Sequence, residues 1–181
     1  GKNLGAYGDA GGIITNNDEY ASRMRMFANH GSLVKHEHQI LGINSRMDGI
    51  QAAILNVKLK HIKNWTESRI NNASYYNKIL ANIEGVKLPI VLDNSTHVYH
   101  LYVIRVENRQ KIQNYLKENG ISTGIHYPNP LPYLNTFKYK NHTPKDFPVV
   151  WDYKDKILSL PMYPELTSKM MDYVSEKIFE S

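Results

Sequence analysis

The sequence contains no cysteine. Disulfides, thiolate metal sites and a cysteine nucleophile are therefore excluded. It also lacks any apolar run approaching the roughly 18 residues of a membrane span, and no signal-peptide pattern opens it. The expectation is a cytoplasmic protein with no membrane partner. Long charge runs are missing as well. Lys and Arg number 22 against 17 Asp and Glu, a net charge of +5, yet no five like charges follow one another and no nucleic-acid-binding motif occurs. Nucleic acid is not an expected partner, whereas a modest positive field suits a phosphorylated small molecule. Internal repeats and low-complexity segments are absent too. What remains is an ordinary globular composition, 41% apolar and 22% charged over 181 residues. That is enough for one core, or one domain with an appended strip of another.

The most informative stretch is Gly1-Lys2-Asn3-Leu4-Gly5-Ala6-Tyr7-Gly8-Asp9-Ala10-Gly11-Gly12, in which one lysine stands among five glycines. A lysine amine beside an electrophilic carbonyl can form a Schiff base, and glycines let backbone approach a planar or phosphorylated ligand. The same pattern also describes a glycine-rich turn carrying a solvated lysine. A phosphate-binding P-loop is excluded, because that motif needs Ser or Thr after the lysine and Asn3 stands there.

Further along, Gly12–Thr15 reads as a short strand and residues 19–29 as a helix capped by Asp18, with Tyr20, Met24 and Phe27 on one stripe and Arg23 and Arg25 off it. Residues 29–43 read as irregular. Within them His36-Glu37-His38 looks either like part of a metal cluster or like a polar loop; no third ligand follows at helical spacing, and no metal is expected. The spacing of Met47, Ile50, Ala53, Ile54 and Val57 predicts an amphipathic helix over 46–59, and a second covers 62–80 with Trp65, Ile70, Ala73, Tyr76 and Leu80 packed. Gly85 and Pro89 break the pattern. A strand follows over 97–106 with Tyr99, Leu101, Val103 and Ile104 inward, then a helix over 109–119 stopped by Gly120, and a strand over 121–127. Five prolines make 128–148 a loop. A short helix over 149–156, a strand over 157–160 and a helix over 167–179, with Met170, Met171, Val174 and Ile178 inward, complete a strand–helix–strand order that suits an α/β sandwich with a mainly antiparallel sheet.

The glycine–lysine run resembles the lysine segment of the DegT/DnrJ/EryC1/StrS family, pyridoxal-phosphate-dependent sugar aminotransferases of the aspartate aminotransferase fold (fold type I). Asn29-His30-Gly31-Ser32, Gly42-Ile43-Asn44-Ser45-Arg46-Met47-Asp48, Gln51-Ala52-Ala53, Gly124-Ile125-His126-Tyr127-Pro128 and Leu158-Ser159-Leu160-Pro161-Met162-Tyr163-Pro164 resemble later motifs of that family in the same order. One departure is Pro132, where the family often has histidine.

The resemblance implies a C-terminal half. Residues 1–60 would be the remnant of the large cofactor-binding domain and the start of an interdomain helix, and 61–181 a small C-terminal α/β domain. It implies Lys2 as the catalytic residue that holds pyridoxal 5′-phosphate, with Asn44 crossing a homodimer interface to the partner's cofactor phosphate. A helix-capping role for Asn44 is compatible with that one. Lys35 and Arg69 are expected on the substrate diphosphate. His126 and Tyr127 are candidate substrate contacts or packing residues. The implied reaction moves an amino group from glutamate to a keto sugar on a nucleotide diphosphate, and the 181-residue piece alone is expected to be inactive. The competing reading is a regulatory or binding module that kept the fold, which a retained Lys2 argues against.

Overall fold

The computed structural model describes residues 2–181, so Gly1 of the glycine run lies outside the described residues. The chain divides into two compact units, Gly1–Ile62 and Lys63–Ser181.

In the first unit, helix α1 (Asp18–Ala28) starts at Asn17, whose side chain accepts the Tyr20 N–H at 3.0 Å. The cap therefore sits one residue before the expected Asp18, which instead joins Glu19 in the first turn and complements the helix dipole. At the other end His30 and Gly31 take positive φ, and the Gly31 N–H donates to the Met26 carbonyl at 2.7 Å. Next comes a small antiparallel hairpin, β1 (Ser32–Val34) and β2 (Glu37–His38), where an irregular loop was expected. Its turn carries Lys35 and a left-handed His36, so no glycine advertises it in the sequence. Helix α2 (Gly49–Leu59) begins three residues later than the spacing predicts, with Asp48 rather than Asn44 at its N-cap position. The strand expected over residues 12–15 does not form. Ile13 and Ile14 are 74% and 99% exposed, and among the described residues no second segment runs beside them to complete a ladder.

Helix α3 (Ile62–Leu80) has the predicted bounds, and all but its first residue belongs to the second unit. A three-stranded antiparallel sheet, in order β3 (Val86–Lys87), β4 (Tyr102–Val106), β5 (Ile157–Leu160), receives α3, α4 (Arg109–Glu118) and α6 (Ser168–Glu180) into one core. Ala73, Tyr76 and Leu80 come from α3, Leu116 from α4, and Met171, Val174 and Ile178 from α6, each at three- or four-residue spacing along its helix. Met170, expected inward, is 49% exposed.

Strand β4 is shorter than predicted, and of its expected inward set Ile104 is buried, as is Tyr99 ahead of the strand, whereas Leu101 and Val103 are not. Tyr102, Ile104 and Val106 are buried, while Val103 and Arg105 are only half-buried, with the Arg105 guanidinium 4.1 Å from the Tyr153 ring centroid. The side-chain period of two means that one residue of register decides which set is inside. Residues 121–127 supply a single bridge, Gly124 to Ser159, instead of a strand. The proline-rich segment holds two 3₁₀ turns, Leu131–Tyr133 and Asn135–Lys140, ahead of the short helix α5 (Pro148–Tyr153). Gly120 ends α4 as expected: with φ at 75°, its N–H reaches the Lys117 carbonyl at 3.0 Å and the Ile121 N–H reaches Leu116 at 2.8 Å. That paired closure brings Ile121 onto Leu116 within the core.

Candidate functional site

The end of α1 positions Asn44. The last carbonyls of a helix need partners, and here a strip of chain provides them: Ile43 N–H donates to Phe27 at 2.7 Å, Ser45 N–H to Ala28 at 2.9 Å, and the Ile43 carbonyl accepts from His30 N–H at 2.9 Å. Gly42 permits this approach, since a Cβ there would lie 2.3 Å from the Gly31 nitrogen and 2.7 Å from the Phe27 oxygen. Asn44 is exposed, and its side-chain oxygen accepts from Arg46 Nε at 3.1 Å. That pairing leaves the Asn44 amide group and the rest of the guanidinium available as donors to an anion.

Asn44 and Arg46 border an open cavity of about 1420 Å³ whose wall includes residues 9–12 of the glycine run. Arg23 and Arg25 from α1 also reach it, against Asp9 and Asp48, so the lining carries a cationic excess. The amphipathic pattern of α1 set these arginines apart from its apolar stripe but gave no sign of what they face. Lys2 is exposed and is not among the lining residues. Lys35 is exposed at the hairpin turn. Among the described residues no three His, Cys, Asp or Glu side chains gather as metal ligands.

The remaining candidates lie in the second unit. Arg69 is turned to the backbone: its Nη1 donates to Met162, Tyr99 and His100 carbonyls at 2.9, 3.1 and 3.3 Å. Burial lowers the guanidinium from its ordinary value, with Glu165 opposing the shift. Nη1 is thus engaged by backbone, and the diphosphate contact expected from the sequence would fall to the rest of the guanidinium. His126 Nδ1 lies 2.9 Å from Ser159 Oγ, and a Cβ on Gly124 would press the imidazole at 2.7 Å. Tyr127 is 66% exposed, meets the His126 ring edge-on, and lines an apolar pocket of about 590 Å³ with Pro128, Leu131, Val149 and Tyr153.

The chain belongs to the DegT/DnrJ/EryC1/StrS aminotransferase family, whose model matches residues 1–179. It is 45% identical over 181 residues to a pleiotropic regulatory protein of Geobacillus stearothermophilus, covering 99% of this chain and 49% of that one. It is 36% identical over 166 residues to dTDP-3-amino-3,4,6-trideoxy-alpha-D-glucose transaminase of Streptomyces venezuelae, covering 92% and 44%. The crystal structure of S. venezuelae DesV in complex with a ketimine intermediate superposes with a TM-score of 0.94 at 34% identity, over 98% of this chain and 48% of DesV. The fold is thus that of the fold type I pyridoxal-phosphate transferases. The chain spans about half the length of the curated relatives it matches. No helix among the described residues is long and apolar enough to cross a membrane.

Proposed function

We propose that the full-length protein is a cytoplasmic pyridoxal-phosphate-dependent aminotransferase that moves an amino group from glutamate to a keto sugar carried on a nucleotide diphosphate. The observation that carries this reading is a family match that runs from the lysine segment through residue 179. The residues present fit the cofactor in two respects. A primary amine stands on a glycine-flanked segment, and an Arg46-held Asn44 amide offers donors to an oxyanion beside a cationic cavity. When bound, the cofactor supplies the electrophilic carbonyl and the electron sink of amino transfer.

In this reading Lys2 Nζ holds the cofactor in the resting enzyme. With the donor amine in place, Lys2 Nζ would accept the proton from the amine-bearing carbon of the donor and hold it as the general acid–base group of the site. Asn44 and Arg46 anchor a phosphate, and His126, Tyr127 and Lys35 contact the sugar nucleotide. Because Gly42-Ile43-Asn44-Ser45-Arg46 resembles the family segment that crosses the dimer interface, we assign Lys2 and Asn44 of one chain to different sites of a homodimer, with each Asn44 serving the partner's cofactor.

Borohydride reduction of the full-length protein followed by peptide mapping tests the cofactor assignment; attachment at any lysine other than Lys2 overturns it. Mixing full-length Lys2→Ala and Asn44→Ala chains, with exchange verified by two tags, tests the shared site. Activity should return to at most half per heterodimer, and none returns if one chain supplies both residues. The name of the Geobacillus relative favours a second reading, a regulatory module that keeps the fold. A full-length protein that takes up no cofactor at all would support that one.

A further inference from the structure

The motif Gln51-Ala52-Ala53 has no role in the reading so far. The structure gives its first residue one. Gln51 and Lys58 lie on α2 seven residues apart, hence on one face two turns apart. Both hold the backbone of the lysine segment. The Tyr7 N–H donates to Gln51 Oε1 at 2.8 Å, and Lys58 Nζ donates to the Gly5 carbonyl while standing 5.5 Å from the Tyr7 ring centroid. Gly5 is buried. Gly8 completes the fit, because a Cβ there would come 3.0 Å from Gln51 Nε2, so a glycine lets the amide lie close against the chain.

A glycine-rich segment has wide conformational freedom. The amine of Lys2, three residues before Gly5, can be held in one place only if something outside the segment removes that freedom. We propose that Gln51 and Lys58 are positioning residues that clasp the segment to α2 and so fix where Lys2 presents its amine. The proposal rests on the reading of Lys2 as the cofactor-holding lysine. A displacement of about 1 Å at a reacting group can cost on the order of 10²-fold in rate, so the clasp acts on turnover more than on sugar binding.

The test uses the full-length protein with Gln51→Leu, which removes the acceptor, and Gln51→Glu, which keeps an oxygen for the Tyr7 N–H. Gly8→Ala is a milder probe that presses the same amide while leaving the sequence of α2 unchanged. Three readouts are taken: hydrogen exchange at the Tyr7 amide, turnover separated into kcat and KM, and the borohydride map. Gln51→Leu should speed Tyr7 exchange by about tenfold or more, since a lost bond of roughly 1.5 kcal/mol is about a factor of ten. It should lower kcat by about 10–100-fold with sugar KM within about twofold. Gln51→Glu should restore both, and Gly8→Ala should shift both in the same direction as Gln51→Leu, by less. Cofactor fixed at Lys2 with unchanged Tyr7 exchange or unchanged kcat in Gln51→Leu overturns the clasp while leaving the function standing. Cofactor fixed to another lysine overturns the reading of Lys2 and the clasp's role with it.

Discussion

The two units of this chain are held together by different forces. In the second unit every buried apolar residue, from Ala73 to Ile178, belongs to one cluster drawn from three helices and a sheet. In the first, no described apolar side chain is buried, and order comes from backbone closures around Gly31 and Gly42 and from side-chain-to-backbone bonds such as Gln51 to Tyr7. Burial is non-directional and tolerant, contributing about 25 cal/mol per Å² wherever apolar surface meets. Backbone closure is local and geometric. Within this chain, the contacts that order the unit carrying Lys2 and Asn44 are hydrogen bonds, while those that order the other are apolar.

Substitutions sharpen that contrast, and the largest effect should fall on activity. Lys2→Ala in the full-length protein should lower amino transfer by at least about 10²–10⁴-fold, the range for a lost general acid–base group. Compared as cofactor-free proteins, variant and parent should melt at the same temperature, because the Lys2 side chain is exposed in this chain. A fall in melting temperature as large as that of a core variant would break the comparison. Ile104→Ala should do the reverse, costing about 2–5 kcal/mol in denaturant unfolding for a fully buried side chain.

Arg69→Met should come next, at about 1–3 kcal/mol for a buried carbonyl left without its donor. KM for the sugar nucleotide should not move; a rise in that KM with stability intact would return Arg69 to the substrate. The smallest effect concerns Glu180, whose carboxyl is held below its ordinary range by hydrogen bonds from Lys177 and Tyr115. A lowered value means that the stabilisation from these Glu180 contacts is present above the ordinary carboxylate range and fades as pH falls through the lowered one. Amide exchange at the end of α6 should accelerate on that descent, and Glu180→Gln should flatten the response.

The legible parts of this fold are those with a period. Helix α3 and strand β5 have their predicted bounds because Ala73, Tyr76 and Leu80, or a compact run of Ile157 and Leu158, carry the signal within themselves. The face of β4 was not legible, since Leu101-Tyr102-Val103-Ile104 is apolar at consecutive positions and only its partner, Leu160 opposite Tyr102, fixes the parity. The hairpin escaped because His36 takes the left-handed position usually signalled by glycine. At the candidate site, the family resemblance pointed to Lys2 and Asn44, but not to the hydrogen bond that Arg46 gives Asn44. The backbone contacts of Arg69 were hidden for a different reason: its acceptors lie as far along the chain as Met162.

The pairing of β4 with β5 has a kinetic consequence. Tyr102 and Leu160 meet across more than fifty intervening residues, whereas β3 joins β4 from much nearer in sequence. Closing the longer circuit must precede any reward from the ladder, so this step should govern how fast the second unit assembles. The proline-rich span 128–148 lies within the circuit. Closure entropy grows only logarithmically, about 0.6 kcal/mol for each doubling of a flexible loop. Insertions there should slow assembly slightly and leave the finished core almost as stable as before.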